Sequence, residues 1–258
     1  MPELYSAGQR KAIGNGGDGM LYVTGDTHGE KARFAKNSII DRTLAEGDKL
    51  FVCGDFGFIF RGNETEEKTL QFLVEKPYQI LFVDGNHENF TLLNGYPVEE
   101  WNGGKVHVIR RDKEGNPKVI HLIRGQVFTI EGKKIFTFGG AYSIDRYMRT
   151  PYVSYWPEEM PTYVEMDEAT LHLERHNNEV DYIITHAAPE ETMSMFHPYH
   201  PDEAPLNSYL EWIRENVKYK HWYMGHLHLC PDEDVWRHQS ILWFGLRNMI
   251  TNEVISGE

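Results

Sequence analysis

The chain has 258 residues, of which 40% are hydrophobic and 13% aromatic, and carries a formal charge of −13 at pH 7. That length suits one large domain or two small ones, and the apolar content excludes a disordered chain because it is enough for a sizeable core. The acidic balance argues against a basic surface that wraps long DNA or RNA but leaves a small phosphate substrate open, and no run of about 18 apolar residues indicates a membrane span.

Met1 to Ala12 lack the apolar stretch of a signal peptide. Gly14-Asn15-Gly16-Gly17-Asp18-Gly19 precedes a strand and ends without Lys-Ser or Lys-Thr. A phosphate-cradling loop needs the reverse order, so residues 1–19 read as a flexible N-terminal segment. The short apolar runs at residues 20–23, 50–53 and 80–83 predict buried strands. Between them, residues 31–46 set Phe34, Ile39, Ile40 and Leu44 near one face of a helix. Residues 64–76 do the same with Leu70, Phe72, Leu73 and Val74, and Asn63 is placed to cap that helix. Strand–helix–strand–helix–strand predicts parallel pairing with right-handed crossovers.

From Lys105 to Phe138 the pattern turns antiparallel, with β-prone runs at 106–109, 119–123, 127–130 and 135–138. Glu114-Gly115-Asn116-Pro117 and Glu131-Gly132-Lys133-Lys134 act as hairpin turns. Residues 142–163 then collect Tyr142, Tyr147, Tyr152, Tyr155, Trp156 and Tyr163 with Pro151, Pro157 and Pro161. This segment reads equally as a lid over a site or as an aromatic coil on the core. Helices follow at 163–177 and 206–217, and strands at 182–184, 222–224 and 241–244. With no repeat and no linker rich in Pro and Ser, one domain spans 1–258. Cys53 and Cys230 read as structural thiols, too few for a disulfide framework, and the cytoplasm is the default compartment.

The chemistry lies at the ends of five runs. The first is followed by Gly25-Asp26-Thr27-His28-Gly29, the second by Gly54-Asp55, and the third by Asp84-Gly85-Asn86-His87-Glu88. The fourth leads through Thr185 to His186, and the fifth into Gly225-His226-Leu227-His228. Ligands bind beyond the carboxyl ends of strands in α/β sheets, and glycines permit sharp exits there. Imidazole and carboxylate suit divalent Mn, Fe, Ni and Zn. Two such ions can share a carboxylate and a hydroxide, and phosphoryl transfer then needs mainly positioning and charge neutralisation. Alone, each piece has a bland reading as a turn, a helix cap or a satisfied polar pair; five strand ends with consistent chemistry do not.

Together these elements resemble the calcineurin-like metallophosphoesterase family, in the family's order across residues 25 to 228. The resemblance implies a four-layer α/β/β/α sandwich, two mixed β-sheets face to face with helices outside. It implies that Asp26, His28 and His228 hold one metal, that Asn86, His186 and His226 hold the other, and that Asp55 bridges them. It also implies that His87 is no ligand but faces the scissile phosphate, while the bridging hydroxide attacks a phosphomonoester or small phosphodiester. Manganese, iron, nickel and zinc all fit this ligand set. The expected partner is a small phosphorylated substrate or a phosphoprotein, with neither long nucleic acid nor a membrane.

One departure matters. Ser/Thr protein phosphatases of this family carry an Asp and then an Arg shortly after the bridging Asp, where this chain reads Phe56-Gly57-Phe58-Ile59. His186 is followed by Ala187-Ala188-Pro189 instead of paired glycines. A dedicated protein phosphatase is thereby disfavoured. Substitute phosphate-gripping arginines are Arg61, Arg146, Arg149 and Arg247; Arg146, in the irregular stretch after Gly139-Gly140, is the foremost substrate-binding candidate, against a surface ion pair. His197 and His200 read as surface loop histidines. The alternatives to a small-substrate esterase are a nuclease or cyclic-nucleotide phosphodiesterase on the same metal core, and a non-catalytic scaffold of the same fold.

Overall fold

A computed structural model describes residues 19–196, 200–230, 232–235 and 238–255. The predicted flexible N-terminal segment, apart from Gly19, lies outside them, as does His197. The first part of the chain alternates strands and helices: β1 (Leu21–Thr24), α1 (Ile39–Thr43), β2 (Lys49–Val52), α2 (Glu64–Val74), β3 (Gln79–Phe82) and the one-turn α3 (Phe90–Leu93). Then come β4 (Val98–Trp101), β5 (Gly104–Arg111), β6 (Pro117–Leu122), β7 (Gln126–Ile130) and β8 (Lys133–Phe138). The remainder comprises α4 (Tyr163–Arg175), β9 (Tyr182–Thr185), α5 (Glu190–Phe196), α6 (Ala204–Asn216), β10 (His221–Met224), β11 (Glu233–Val235), β12 (Gln239–Ile241), β13 (Leu246–Asn248) and β14 (Val254–Ile255).

The strands build two mixed sheets. The eight-stranded sheet runs β14-β13-β1-β2-β3-β6-β5-β4 and the six-stranded sheet β11-β12-β10-β9-β8-β7. In the first, β1, β2, β3 and β6 pair in parallel; in the second, β8, β9, β10 and β12 do. The short apolar runs are continuous because both faces of these strands are covered.

Side chains alternate between layers along each strand. Leu21, Val23, Phe51, Cys53, Leu81 and Val83 of the first sheet meet Phe128, Ile135, Tyr182, Ile184 and Tyr223 of the second in one buried cluster. Their neighbours Tyr22, Leu50, Val52, Ile80 and Phe82 turn the other way, onto Ile40 of α1 and Leu70 and Leu73 of α2. Phe136, Phe138, Ile183, Trp222 and Met224 turn outward onto Met166 and Leu173 of α4 and Leu206, Leu210 and Ile213 of α6. The result is the four-layer α/β/β/α sandwich. Among the described residues, no helix is long and apolar enough to cross a membrane.

The sequence reading did not expect β4, α5, β11, β13 or β14, and three of the elements that it did expect come out differently. The single helix expected at 31–46 is two pieces, a 3-10 turn at Lys31–Phe34 and α1. Asn37 between them is left-handed (φ 70°), and the Ser38 hydroxyl caps α1 by accepting the Asp41 N–H at 3.2 Å. A side chain that competes for backbone donors restarts the helix there. The antiparallel stretch is split: the β5–β6 pair belongs to the first sheet and the β7–β8 hairpin to the second. Glu131 and Gly132 (φ 48° and 69°) give β7–β8 a tight two-residue turn of the type that matches strand twist. The strand expected at 241–244 ends at Ile241 and starts earlier, at Gln239. Polar Gln239 and Ser240 are buried by bonding to Thr192 and Asp234, which masks them in a hydrophobicity reading.

Phe51 is fully buried between the sheets. Phe51→Ala is expected to cost about 3–5 kcal/mol in denaturant unfolding, as large aromatic truncations in packed cores do. A loss below about 1 kcal/mol would contradict face-to-face sheet packing at this position.

Candidate metal centre

The carboxyl ends of β1, β2 and β3 in one sheet meet those of β9 and β10 in the other. Asp26, Asp55, Asn86, His186 and His226 each stand one to four residues past a strand or at its end. Backbone bonds draw these exits together. His186 Nδ1–H donates to the Cys53 carbonyl at 2.7 Å, across the two sheets. The Gly225 N–H donates to the His186 carbonyl at 3.1 Å. The Thr27 and His28 amides both reach the Asp55 carbonyl, at 3.2 and 2.7 Å. The carboxylates are clamped from behind as well: Asp26 Oδ1 accepts the His226 N–H at 3.1 Å, and Asp55 Oδ1 the His87 N–H at 2.7 Å.

His28, Asp55, His226 and His228 have φ of 45°, 46°, 67° and 48°. Left-handed backbone at a non-glycine residue costs of order 1–3 kcal/mol each and persists where surrounding structure enforces it. Here that strain falls on side chains that face the centre.

Two sets of donors flank Asp55. On one side, His228 Nε2 lies 2.7 Å from Asp26 Oδ2 and 2.9 Å from His28 Nε2, and His28 Nδ1 lies 3.8 Å from Asp55 Oδ2. One ligand atom from each of Asp26, His28, Asp55 and His228 falls within 4.8 Å of all the others, a group that can hold a metal ion. On the other side, His186 Nε2 lies 3.5 Å from Asp55 Oδ1 and 3.0 Å from Asn86 Oδ1, with the His226 ring centred 5.0 Å from the His186 ring.

The hydrogen-bond bookkeeping of this second set fits a cation. His186 uses Nδ1–H on Cys53, which leaves Nε2 as the free nitrogen. Asn86 Nδ2 donates to Ser143 Oγ at 3.0 Å, and that hydroxyl donates to Glu159 Oε2 at 2.7 Å. The Asn86 oxygen must therefore face His186 Nε2. An imidazole nitrogen beside amide and carboxylate oxygens is a donor set that suits a divalent transition metal.

Charge at the centre is mutual. Burial alone would raise the Asp55 carboxyl, but His186, His87 and His28 hold it below the usual range. Burial and the neighbouring His186 push His226 down to about 3, so its imidazole is neutral. Burial opposes charge on His186, yet Asp55 and Asp26 raise it, and the bond to Asp26 raises His228.

The centre opens into a cavity of about 490 Å³ lined by Asp55, Asn86, His87, His226 and His228, together with Tyr142 to Asp145, Met193, His200, Glu203 and Leu227. His87 Nδ1 lies 2.9 Å from Arg149 Nη1. The Arg146 guanidinium stacks on the cavity-lining Tyr142 at 4.0 Å and lies 3.5 Å from Glu159 and 3.7 Å from Asp202. Arg247 pairs with Asp234 at 2.6 Å. His200 stacks on Tyr142 with ring centroids 4.4 Å apart and does line the cavity.

Glu203 is a residue that sequence reading missed. It is buried, accepts the Tyr142 N–H at 3.3 Å, lies 3.6 Å from His226 Nε2, and is pushed up to about 7 by burial. Nothing in Pro201-Asp202-Glu203 marks it. At the positions after Asp55 where the sequence departs from the resemblance, Phe56 stacks on Phe82 at 4.2 Å and Phe58 is buried beside it.

A Cβ at Gly225 would overlap Asp26 Oδ1. Gly225→Ala is therefore expected to displace Asp26 and weaken divalent-cation binding roughly 10–100-fold in calorimetric titration, the cost of disturbing a ligand's supports. Wild-type affinity would contradict the placement of Asp26 in the donor set.

The sequence profile of the calcineurin-like phosphoesterase family matches residues 20–230. No curated protein matches the sequence. Among solved structures, a phosphopantetheinyl hydrolase from Mycobacterium tuberculosis is similar at a TM-score of 0.46 and 13% identity, covering 88% of each chain. A Staphylococcus aureus protein, provisionally named a 5′-nucleotidase and in complex with alpha-ketoglutarate, is similar at a TM-score of 0.47 and 12% identity, over 92% of this chain and 52% of that one. The profile covers every strand end that meets at the centre, and the chain belongs to the calcineurin-like phosphoesterase family, a family of metal-dependent phosphoester hydrolases.

Proposed function

We propose that this chain hydrolyses a phosphomonoester or small phosphodiester at a centre of two divalent cations drawn from manganese, iron, nickel and zinc. Asp26, His28 and His228 hold one cation, Asn86, His186 and His226 the other, and Asp55 lies between both. The observation that carries this reading is the convergence of both donor sets on Asp55, which lines one cavity together with His87. When bound, the cations acidify a water and neutralise charge on the phosphoryl group.

The chain's own residues supply the rest. His87 is anchored by its backbone N–H on Asp55 and stands where it can donate a proton or hydrogen bond to the leaving oxygen. Ser143 and Glu159 hold Asn86 with its oxygen inward. The cavity suits a small substrate, and the net charge of −13 disfavours a polyanionic polymer. We also propose a cytoplasmic location for a single domain, on the two unpaired cysteines, buried Cys53 and exposed Cys230.

A screen of phosphomonoesters, cyclic nucleotides and dinucleotides with Mn, Ni and Mg, together with metal analysis, tests the proposal. It expects hydrolysis of at least one small ester and about two ions per chain; no turnover on any of them and no bound metal would favour a scaffold. His87→Asn is expected to lower kcat on an unactivated ester by about 10²–10⁴ while keeping the metals. Unchanged turnover would remove His87 from the reaction. Asp55→Asn is expected to lower metal content and rate together, and would reject the shared-ligand role if neither changed.

A further inference from the structure

His87 lacks the carboxylate that related protein phosphatases would bring to it, because Phe56 and Gly57 occupy that part of the chain. Its Nδ1 meets a guanidinium instead: Arg149 Nη1 lies 2.9 Å away. Arg149 is held on two further sides, by Asp145 Oδ2 at 2.8 Å and by the Ser154 carbonyl at 3.2 Å. The segment that carries it is pinned at both ends. Ser143 bonds to buried Glu159, and buried Trp156 donates Nε1–H to Thr91 Oγ1 at 2.8 Å, beside the loop of His87.

Donor and acceptor inventory decides the consequence. A guanidinium has only N–H donors, so the nitrogen it meets must carry a lone pair. In a neutral imidazole the proton then sits on the other nitrogen. A carboxylate partner would impose the opposite arrangement, with Nδ1–H donated and Nε2 bare unless the ring is charged.

We propose that Arg149 is the positioning residue for His87, holding it in the Nε2–H tautomer so that it meets the phosphoryl group or leaving oxygen as a neutral hydrogen-bond donor. This deepens the phosphoesterase reading and rests on it for the role of His87, but the tautomer itself is measurable without turnover. Arg149 thereby acts through His87 and is distinct from an arginine that grips phosphate directly.

The test combines ¹⁵N-histidine spectra with kinetics on the full chain, both metal-free and loaded with diamagnetic zinc. The His87 signals are identified by their loss in His87→Asn. In the wild type, Nε2 is expected to be protonated and Nδ1 bare. Arg149→Ala is expected to give a tautomer mixture and a kcat roughly 10²-fold lower, the scale of a misplaced catalytic group, with KM little changed and the deficit largest for poor leaving groups. Arg149→Lys, which also can only donate, is expected to restore the Nε2–H form and most of the rate, and it serves as the probe if the alanine variant does not fold. A wild-type Nδ1–H signal would overturn the proposal. So would an Arg149→Ala variant with intact tautomer and only a raised KM, which would make Arg149 a phosphate clamp. If the tautomer behaves as expected but no phosphoester is hydrolysed, the positioning stands and the functional reading fails.

Discussion

Several buried hydrogen bonds tie the two sheets at their carboxyl ends, and the most consequential runs from His186 Nδ1–H just past β9 to the Cys53 carbonyl after β2. It does two things at once. It brings the second sheet's strand exits over the first sheet's, and it assigns the tautomer that turns His186 Nε2 toward Asn86 and Asp55. A hydrogen bond of this kind contributes only about 0.5–1.5 kcal/mol net, but an unmet buried carbonyl costs about 1–3 kcal/mol. Cys53 also packs in the cluster between the sheets, so site geometry and intersheet packing share a residue. Loosening that core is thus coupled to loosening the centre.

The site is built against local preference. Four non-glycine residues at the centre adopt left-handed backbone, and the carboxylates of Asp26 and Asp55 are buried in a protein with a large excess of acid. Buried carboxylates are costly unless paired. Asp84, one residue from Gly85-Asn86, shows the protein's own solution: burial opposes its charge, but Arg124 and His121 hold it well below the usual carboxylate range. Among the described residues, the Asp26 and Asp55 carboxylates meet histidines and backbone amides but pair with no arginine or lysine, Arg33 reaching only the Asp26 carbonyl. A bound metal ion would supply the same compensation there, and Asp26, His28, Asp55 and His228 form a group that can hold one.

Much of this was legible in the sequence, for identifiable reasons. Strands buried on both faces produce short unbroken apolar runs, and the residue after each run has little freedom in where it points. Asp26, His28, Asp55, Asn86, His186, His226 and His228 could therefore be grouped before any coordinates. Polar strands were opaque: Gln239 and Ser240 enter the core only because Thr192 and Asp234 meet them. Pairing between distant strands was equally hidden, so nothing local told that the β5–β6 and β7–β8 pairs part company between sheets. The supporting residues were hardest. Ser143, Glu159 and Glu203 have ordinary local contexts, and their roles exist only through hydrogen bonds made across tens of residues. Arg146 and Arg149 look alike in sequence; three residues along an irregular stretch decide that one meets Glu159 and the other His87.

The central claim is that two sheets aim their strand ends at a shared carboxylate to cage a pair of cations. Anomalous diffraction at the manganese edge, from crystals grown with manganese, addresses it directly. Two peaks about 3.5–4 Å apart on either side of the Asp55 carboxylate are predicted, the spacing of paired catalytic ions. Anomalous density confined to surface carboxylates, with none beside Asp55, would contradict the account.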